Sequence, residues 1–405
     1  MKRTTIQGVA ILLLFAFSVW LVSLVGIGFG RDNLAAVFSV DNVTPQELQD
    51  KGRLASTDSQ AQKIRIFIMP GHEPDFGGTE YRKLKERDIN IEIATELRDF
   101  LHKDGAYDVV LGRDASGWDP RLKEYLDKNV KEIDAWRADQ ARIMRQLVSE
   151  GEIEAKTDGV PHSSAPKDVA NRLFGINKWV SETYFDLVIH IHINDYGSRR
   201  FDRPGEFTGY SIYVPDRQYS NAAAARQVAE SISSRLDDFV AQSDLKKESG
   251  GVVEDQELVA VGRYNTVDVP SVLIEYGYIY EPQFQDADVR KAVVREYAYQ
   301  TYLGLREFFS SGIARTGALP TVTLPYEFKK DIRESSSYST DIFALQMALA
   351  QARAYPAKGR TLNDCPISGY FGACTKNALT AFQAAKGITG EKGYAGENTR
   401  AVLNY

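Results

Sequence analysis

Apolar positions in this chain switch between a period of two and a period near 3.6, and the switches mark its elements. Ile64-Arg65-Ile66-Phe67-Ile68-Met69 reads as a strand stopped by Pro70-Gly71. Ile89, Ile93, Leu97, Phe100 and Leu101 then fall on one face of a helix, and Val109-Val110-Leu111 reads as the next strand. Further strand candidates lie at 187–193, 210–214 and 271–276, with helical segments near 220–240 and 289–309. Strands alternating with helices predict an α/β domain over residues 63–310, a mostly parallel twisted sheet flanked by helices. Residues 120–150 are also helical by pattern, with Leu122, Leu126, Val130, Ile133, Met144 and Leu147 along one stripe, before a polar loop through Pro161 and Pro166. They do not fit a minimal α/β repeat and read as a helical insertion at about 117–166. Residues 311–340 lose periodicity and gain Pro, Ser and charge, as a linker does, and 341–405 form a compact, mainly helical unit.

The N-terminus changes the picture of where the protein resides. Lys2 and Arg3 precede a nearly unbroken apolar run from Val9 to Phe29, close to the ~20 residues that span a bilayer as a helix. Residues 1–30 are expected to be a membrane anchor, with the basic end inside and everything after Arg31 outside, through a polar stalk at 31–62. A cleaved signal peptide is the competing reading; its apolar core is ordinarily shorter, although Leu34-Ala35-Ala36-Val37 resembles a small-residue cleavage region. The formal net charge of -6 argues against a nucleic-acid binder, which carries a basic surplus. The only cysteines, Cys365 and Cys374, lie close together and can oxidise in an extracytoplasmic setting, with two free thiols as the alternative.

Candidate chemistry starts from five histidines: His72, His102, His162, His190 and His192. His72 directly follows a strand, in Pro70-Gly71-His72, at the sheet edge where open α/β folds place their ligands. In Leu187-Val188-Ile189-His190-Ile191-His192-Ile193-Asn194, alternation puts His190, His192 and Asn194 on one face and the apolar residues on the other. Two imidazoles on one face of a buried strand are costly unless hydrogen-bonded or ligated. A lone strand histidine is ordinarily a hydrogen-bonded core residue; the pair together with His72 raises the alternative of a metal site.

Four ordered motifs carry a resemblance. They are Pro70-Gly71-His72 followed by Gly77-Gly78; Glu86-Arg87-Asp88-Ile89-Asn90 opening a helix; His190-Ile191-His192-Ile193-Asn194 on a strand; and Pro270-Ser271-Val272-Leu273-Ile274-Glu275-Tyr276-Gly277. Over about residues 63–309 the chain resembles the zinc-dependent N-acetylmuramoyl-L-alanine amidases of type 3, bacterial enzymes that cut the bond between N-acetylmuramic acid and the L-alanine of the peptidoglycan stem peptide. The resemblance implies that His72, Glu86 and His192 ligate one catalytic Zn2+ and that Glu275 is the catalytic carboxylate. Three N and O ligands leave a fourth position for water, whose pKa zinc lowers to ~7. Glu275 would take that water's proton and hand it to the departing amine. Glu92 and Glu96 are rival acids on the same helix, and Glu86 is preferred because it alone matches the family's Glu-x-Asp-x-Asn pattern. Asp186 reads as a structural hydrogen-bonder, as does Asn194, with contact to substrate or support of the ligand set as the alternative for Asn194. His190 reads as a hydrogen-bonded wall residue, with contact to substrate or orientation of Glu275 as the alternative. The chain departs from the family at Met69, where an acid is usual, at Glu73 with Pro74-Asp75-Phe76 inserted, and at His190, where Ser is common.

Residues 341–405 resemble a small three-helix peptidoglycan-binding domain, through Leu345-Gln346, Gly369-Tyr370-Phe371-Gly372-Ala373-Cys374-Thr375, Ala381-Phe382-Gln383, and Gly396-Glu397-Asn398-Thr399. Cys365 and Cys374 would staple the loop before its second helix. In some relatives a helix in the region of the insertion covers the zinc until an activator protein removes it; here Glu150, Glu152 or Glu154 could supply the covering carboxylate, against a lid-free elaboration. The implied partners are peptidoglycan and the membrane. Two other functions remain open at this point: a zinc peptidase acting within the stem peptide, and a catalytically silent wall-binding protein.

Overall fold

The computed structural model of the protein describes residues 43–162, 165–197, 199–310 and 319–404. The apolar run Val9–Phe29 lies outside them, and among the described residues no helix is long and apolar enough to cross a membrane.

Six strands make the central sheet: β1 (Ile64–Pro70), β2 (Tyr107–Leu111), β3 (Leu187–Asn194), β4 (Ser211–Pro215), β5 (Val252–Asp255) and β6 (Ser271–Tyr278). Their order is β2-β1-β3-β6-β4-β5. The four strands β2, β1, β3 and β6 are parallel, β4 runs antiparallel to β6, and β5 runs parallel to β4. The helices longer than one turn are α1 (Pro45–Thr57), α2 (Glu86–Asp104), α3 (Pro120–Lys128), α4 (Val130–Glu150), α5 (Lys167–Glu182), α6 (Ala222–Leu236), α7 (Ala287–Phe309), α8 (Thr340–Gln351), α9 (Ala373–Ala385) and α10 (Glu397–Leu403).

Alternation along the strands sorts side chains into two cores. Ile64, Ile66 and Ile68 of β1 and Leu187, Ile189, Ile191 and Ile193 of β3 pack with α2, α6 and α7. Phe67, Met69 and Val188 face the other way, against Leu122 and Leu126 of α3, Ile133 of α4, and Phe174 and Trp179 of α5. Each such side chain contributes roughly 1.5–3 kcal/mol when fully buried. A one-residue slip of β3 would therefore exchange four buried aliphatic residues for His190, His192 and Asn194. Register and site are fixed by the same pattern.

Three expectations need correction. Residues 45–57, read as stalk, form α1, started by a capping box between Thr44 and Glu47 with Pro45 at the first turn. Leu48 and Gly52 are its buried residues, and a Cβ on Gly52 would come within 2.5 Å of the Phe309 carbonyl oxygen. A helix held by one leucine and a close glycine contact shows little apolar periodicity. The stripe over 120–150 is two helices, because Asp119 and Pro120 start α3 and Asn129 ends it, which leaves Val130 exposed. Residues 319–339, read as linker, carry Leu319, Phe328 and Ile332 into the main core. Glu296 of α7 accepts hydrogen bonds from Thr321 Oγ1 (2.6 Å), Thr323 N (3.1 Å) and Thr323 Oγ1 (2.6 Å), which pins that segment. Hydroxyls satisfying one buried carboxylate look, in sequence, like an ordinary polar tether.

The C-terminal unit has the expected three helices, α8 to α10, and Cys365 and Cys374 are disulfide-bonded. Its two Gln-containing motifs do the same job. Gln346 accepts from Ser368 N and Gly369 N and donates to Tyr370 O and Thr375 Oγ1. Gln383 accepts from Gly393 N and donates to Tyr394 O and Thr399 Oγ1. Each buried amide thus holds the loop that leads into the next helix. Gly369 has φ +74°, and a Cβ there would meet both Val289 methyls at 2.9 Å, so this turn lies flush against α7.

Glu391 holds the start of α10, accepting from Gly396 N, Asn398 N, Thr399 N and Thr399 Oγ1. Burial opposes its ionisation, but those donors outweigh it and hold the carboxyl below its usual range. A depressed folded pKa means that the stabilisation is complete above the unfolded value of about 4.3 and fades as pH falls through the folded value. Urea denaturation should show Glu391→Gln less stable than the parent at pH 7, with the gap narrowing toward pH 3; a gap independent of pH would contradict this assignment.

Candidate active site

Glu86 is the first residue of α2, where the helix N-terminus favours a negative charge. Its side chain is only 5% exposed, and His72 Nε2 and His192 Nδ1 lie 2.8 Å and 3.0 Å from the same oxygen, Oε1. Thr79 N donates to Oε2 at 2.9 Å and Ile193 N to Oε1 at 3.3 Å. Burial opposes ionisation of Glu86, but the two imidazoles overcome it and hold its carboxyl well below the usual range. Burial likewise lowers the pKa of His192 despite the carboxylate beside it.

His72, Glu86 and His192 each offer one ligand atom within 4.8 Å of the others. The backbone is cut to fit them. His72 sits at φ 71°, in the left-handed region, at the end of β1. A Cβ on Gly71 would lie 2.2 Å from the His192 ring, and one on Gly78 would lie 2.9 Å from the His72 ring and 3.1 Å from Glu86 Oε2. Only glycine leaves room for the three side chains to converge. Two nitrogens and a carboxylate oxygen at this spacing form a donor set that suits zinc.

Glu275 stands beside this cluster. Its register partner on β3 is His192, which puts both side chains on the same face of the sheet. Its Oε2 is buried and without a hydrogen-bond partner among the described residues. Burial, then the charges of Glu86 and Glu248, push its carboxyl well above the usual range. His190 is buried deeper on the same face; burial, reinforced by His192, drives its pKa down to about 3 despite a hydrogen bond with the Ala260 backbone, so its imidazole stays neutral.

A cleft of about 1080 Å³ opens over His72, His190 and His192, walled by the 156–162 segment and by side chains of α4 and α5. The other sequence candidates lie elsewhere. Glu92 and Glu96 face Arg290 and Arg295 of α7, and His102 is exposed. His162 bonds Asp255 at 2.7 Å on the cleft wall, and Asp186 accepts from Lys51 Nζ and Arg65 N. Glu150, Glu152 and Glu154 are exposed and take no part in the cleft lining, so none of them is the covering carboxylate that stood as the alternative to a lid-free elaboration. The physical reason is that α4 ends at Gly151 in a left-handed turn, and it is Ile153 that is buried there, against Met144 and Tyr219.

The family model for N-acetylmuramoyl-L-alanine amidase matches residues 66–307, more than half of the chain. The chain belongs to that family. This amidase is a cell-wall hydrolase of a zinc-dependent family, and His72, Glu86 and His192 are its candidate metal site. A peptidoglycan-binding-domain model matches residues 338–403. Among solved structures, the chain is similar to the CwlD amidase of Clostridioides difficile in complex with the GerS lipoprotein (15% identity, 62% of this chain and 100% of that one, TM-score 0.39). It is also similar to the amidase Ami1 of Mycobacterium smegmatis (14% identity, 62% and 98% covered, TM-score 0.40). The catalytic domain of the amidase CwlV from Bacillus (Paenibacillus) polymyxa var. colistinus is a third (16% identity, 62% and 99% covered, TM-score 0.37). A comparison with curated proteins found no match.

Sequence reasoning missed two supporting residues of the amidase. Arg113 is 1% exposed and donates to Pro70 O and Arg87 O, each at 2.9 Å, and to Gly71 O, clamping the turn that carries His72. Burial lowers its pKa to about 10, which still leaves it charged at neutral pH. Its signal was an arginine just past the end of a strand neighbouring β1. Glu248 is 1% exposed and accepts from Asn194 Nδ2 (2.9 Å), Tyr213 OH (2.6 Å), Ser243 Oγ (2.5 Å) and Tyr278 OH (3.0 Å). It ends the one-turn 3-10 helix Lys246–Glu248, too short for a sequence pattern to mark it.

Gly71→Ala should weaken metal binding by about 10–100-fold, the usual cost of disturbing a ligand's support, as read by competition with a chelating dye. Arg113→Met should lower unfolding free energy by about 3 kcal/mol, since three carbonyls lose a charged donor; an unchanged urea midpoint would refute the clamp.

Proposed function

We propose that the amidase binds one catalytic zinc through His72, Glu86 and His192, and that Glu275 is its general base and then acid. Zinc held there supplies a polarising charge for the scissile carbonyl and lowers the pKa of water to ~7. The rest is work for side chains. Glu86 is ionised and both ligating imidazoles must present free lone pairs, so the site offers one negative charge to a dication. Glu275, one strand away from His192 and in register with it, takes a proton from the attacking water. It then delivers that proton to the amine of the departing L-alanine. A carboxyl whose proton affinity is raised in this way is, once ionised, a stronger base toward the attacking water than a free carboxylate. His190, neutral throughout, keeps the floor of the cleft free of a competing cation. The observation that carries the reading is Glu275 Oε2, buried without a partner beside three converging metal-ligand side chains.

The setting proposed with it has a membrane anchor at residues 1–30, catalysis at 63–310 and a wall-binding unit at 341–405. Tethering at both ends keeps the enzyme on its polymer and raises the local substrate concentration. An activator acting on the insertion has no support from Glu150, Glu152 or Glu154, which do not line the cleft.

Purified protein should contain about one zinc per chain and release free peptide beginning with L-alanine from muropeptides. Glu275→Gln should retain zinc while kcat falls roughly 10²–10⁴-fold, and His192→Ala should lose both. Stem peptides cut between amino acids, or a fully active Glu275→Gln, would overturn the reading. Removing zinc with a chelator should abolish turnover, and adding zinc back should restore it.

A further inference from the structure

The insertion that breaks the α/β pattern brings α4 to the wall of the active-site cleft, and with it Arg137. Five cationic side chains line this cleft. Four are committed: Arg172 to Glu73 at 2.7 Å, Lys156 to Asp216 at 2.5 Å, Arg263 to Glu257 at 2.5 Å, and Lys247 to the Gly159 carbonyl at 2.8 Å. Arg137 has no carboxylate or carbonyl partner among the described residues. Its guanidinium lies over the ring of Phe174, 4.8 Å from the centroid. Phe174 is 1% exposed and stacks in turn on Tyr264, at 6.0 Å and 9° between planes.

We propose that Arg137 is a subsite for a carboxylate of the substrate's stem peptide, built on the insertion. The proposal rests on the amidase reading of the cleft. A guanidinium stacked on a fixed ring has lost much of its freedom while its N–H edge stays available, and that edge matches a carboxylate in a two-point fork. A stem peptide that is not cross-linked through its C-terminus ends in a free carboxylate. Because three neighbouring cations are paired with carboxylates and Lys247 is held by the Gly159 carbonyl, Arg137 is the cleft charge that an anionic peptide can engage without displacing an internal partner. The wall is therefore selective for charge on the peptide side of the bond, the part of the substrate that separates amidase action on a stem peptide from action on a bare amide.

The test uses the full chain with zinc bound and Glu275→Gln to stop turnover, titrated calorimetrically with an N-acetylmuramoyl peptide. One form of the ligand has its peptide carboxylates free, and the other has all of them converted to carboxamides. Replacing Arg137 with Gln should weaken binding of the free-acid ligand about tenfold, the usual worth of one charge-assisted contact. The amidated ligand should bind the Arg137 protein about tenfold more weakly and bind Arg137→Gln as well as the free acid does. Arg137→Lys should recover part of the loss. If Arg137→Gln still discriminates between the two ligands, or binds both like its parent, the subsite is refuted. Failure of the enzyme with Glu275 intact to release peptide would instead remove the amidase reading, while the binding comparison decides Arg137 by itself.

Discussion

A carboxylate taken out of water must find cations or donors, and Glu86 is the place where this fold meets that demand. Its side chain is almost wholly buried, at the start of a helix, with two imidazoles on one oxygen and backbone N–H groups on both. Remove either imidazole and an expensive buried charge is left under-compensated. The arrangement is stable as a protein network, and it also matches the donor set of a three-ligand zinc site. Much of the surrounding structure serves this contact: glycines at 71 and 78 admit the rings, Arg113 holds the Pro70-Gly71 carbonyls, and β3 register aims His192.

Electrostatics then separate two carboxylates on the same site by environment. Glu86, between imidazoles, is driven toward the ionised form; Glu275, buried and facing the charges of Glu86 and Glu248, is driven toward the protonated form. Such divergence between neighbouring acids is how a site assigns one group to ligation and another to proton transfer. Glu248 takes part through its charge on Glu275. Four donors keep it satisfied in the core, and Asn194 links it to the strand that carries His192.

Much of this was legible in the residues, and the reasons for the rest are physical. Alternation in Leu187–Asn194 placed His190 and His192 on the face opposite the aliphatic core, as β3 does. The strand stop at Pro70-Gly71 located the turn that carries His72 to Glu86 and His192. The alternation could not show that Gly71 must be glycine because of a ring arriving from β3, a contact between segments more than a hundred residues apart. Strand β5, four residues long and directly after Gly250-Gly251, was too short to carry a period; α1 buries only Leu48 and Gly52, and the 319–339 segment is held by scattered apolar residues and hydroxyl bonds rather than by a stripe. Arg137 was invisible for another reason: its meaning depends on which neighbouring charges are already paired, and only the folded chain sets that.

The central claim is that two imidazoles and one carboxylate grip a single metal, and zinc X-ray absorption on the purified full chain tests it most directly. The account predicts a first shell of two nitrogens at about 2.0–2.1 Å with oxygen making up a four-coordinate sphere, and no sulfur. A sulfur scatterer near 2.3 Å, or an unchanged zinc spectrum after His192→Ala, would contradict it.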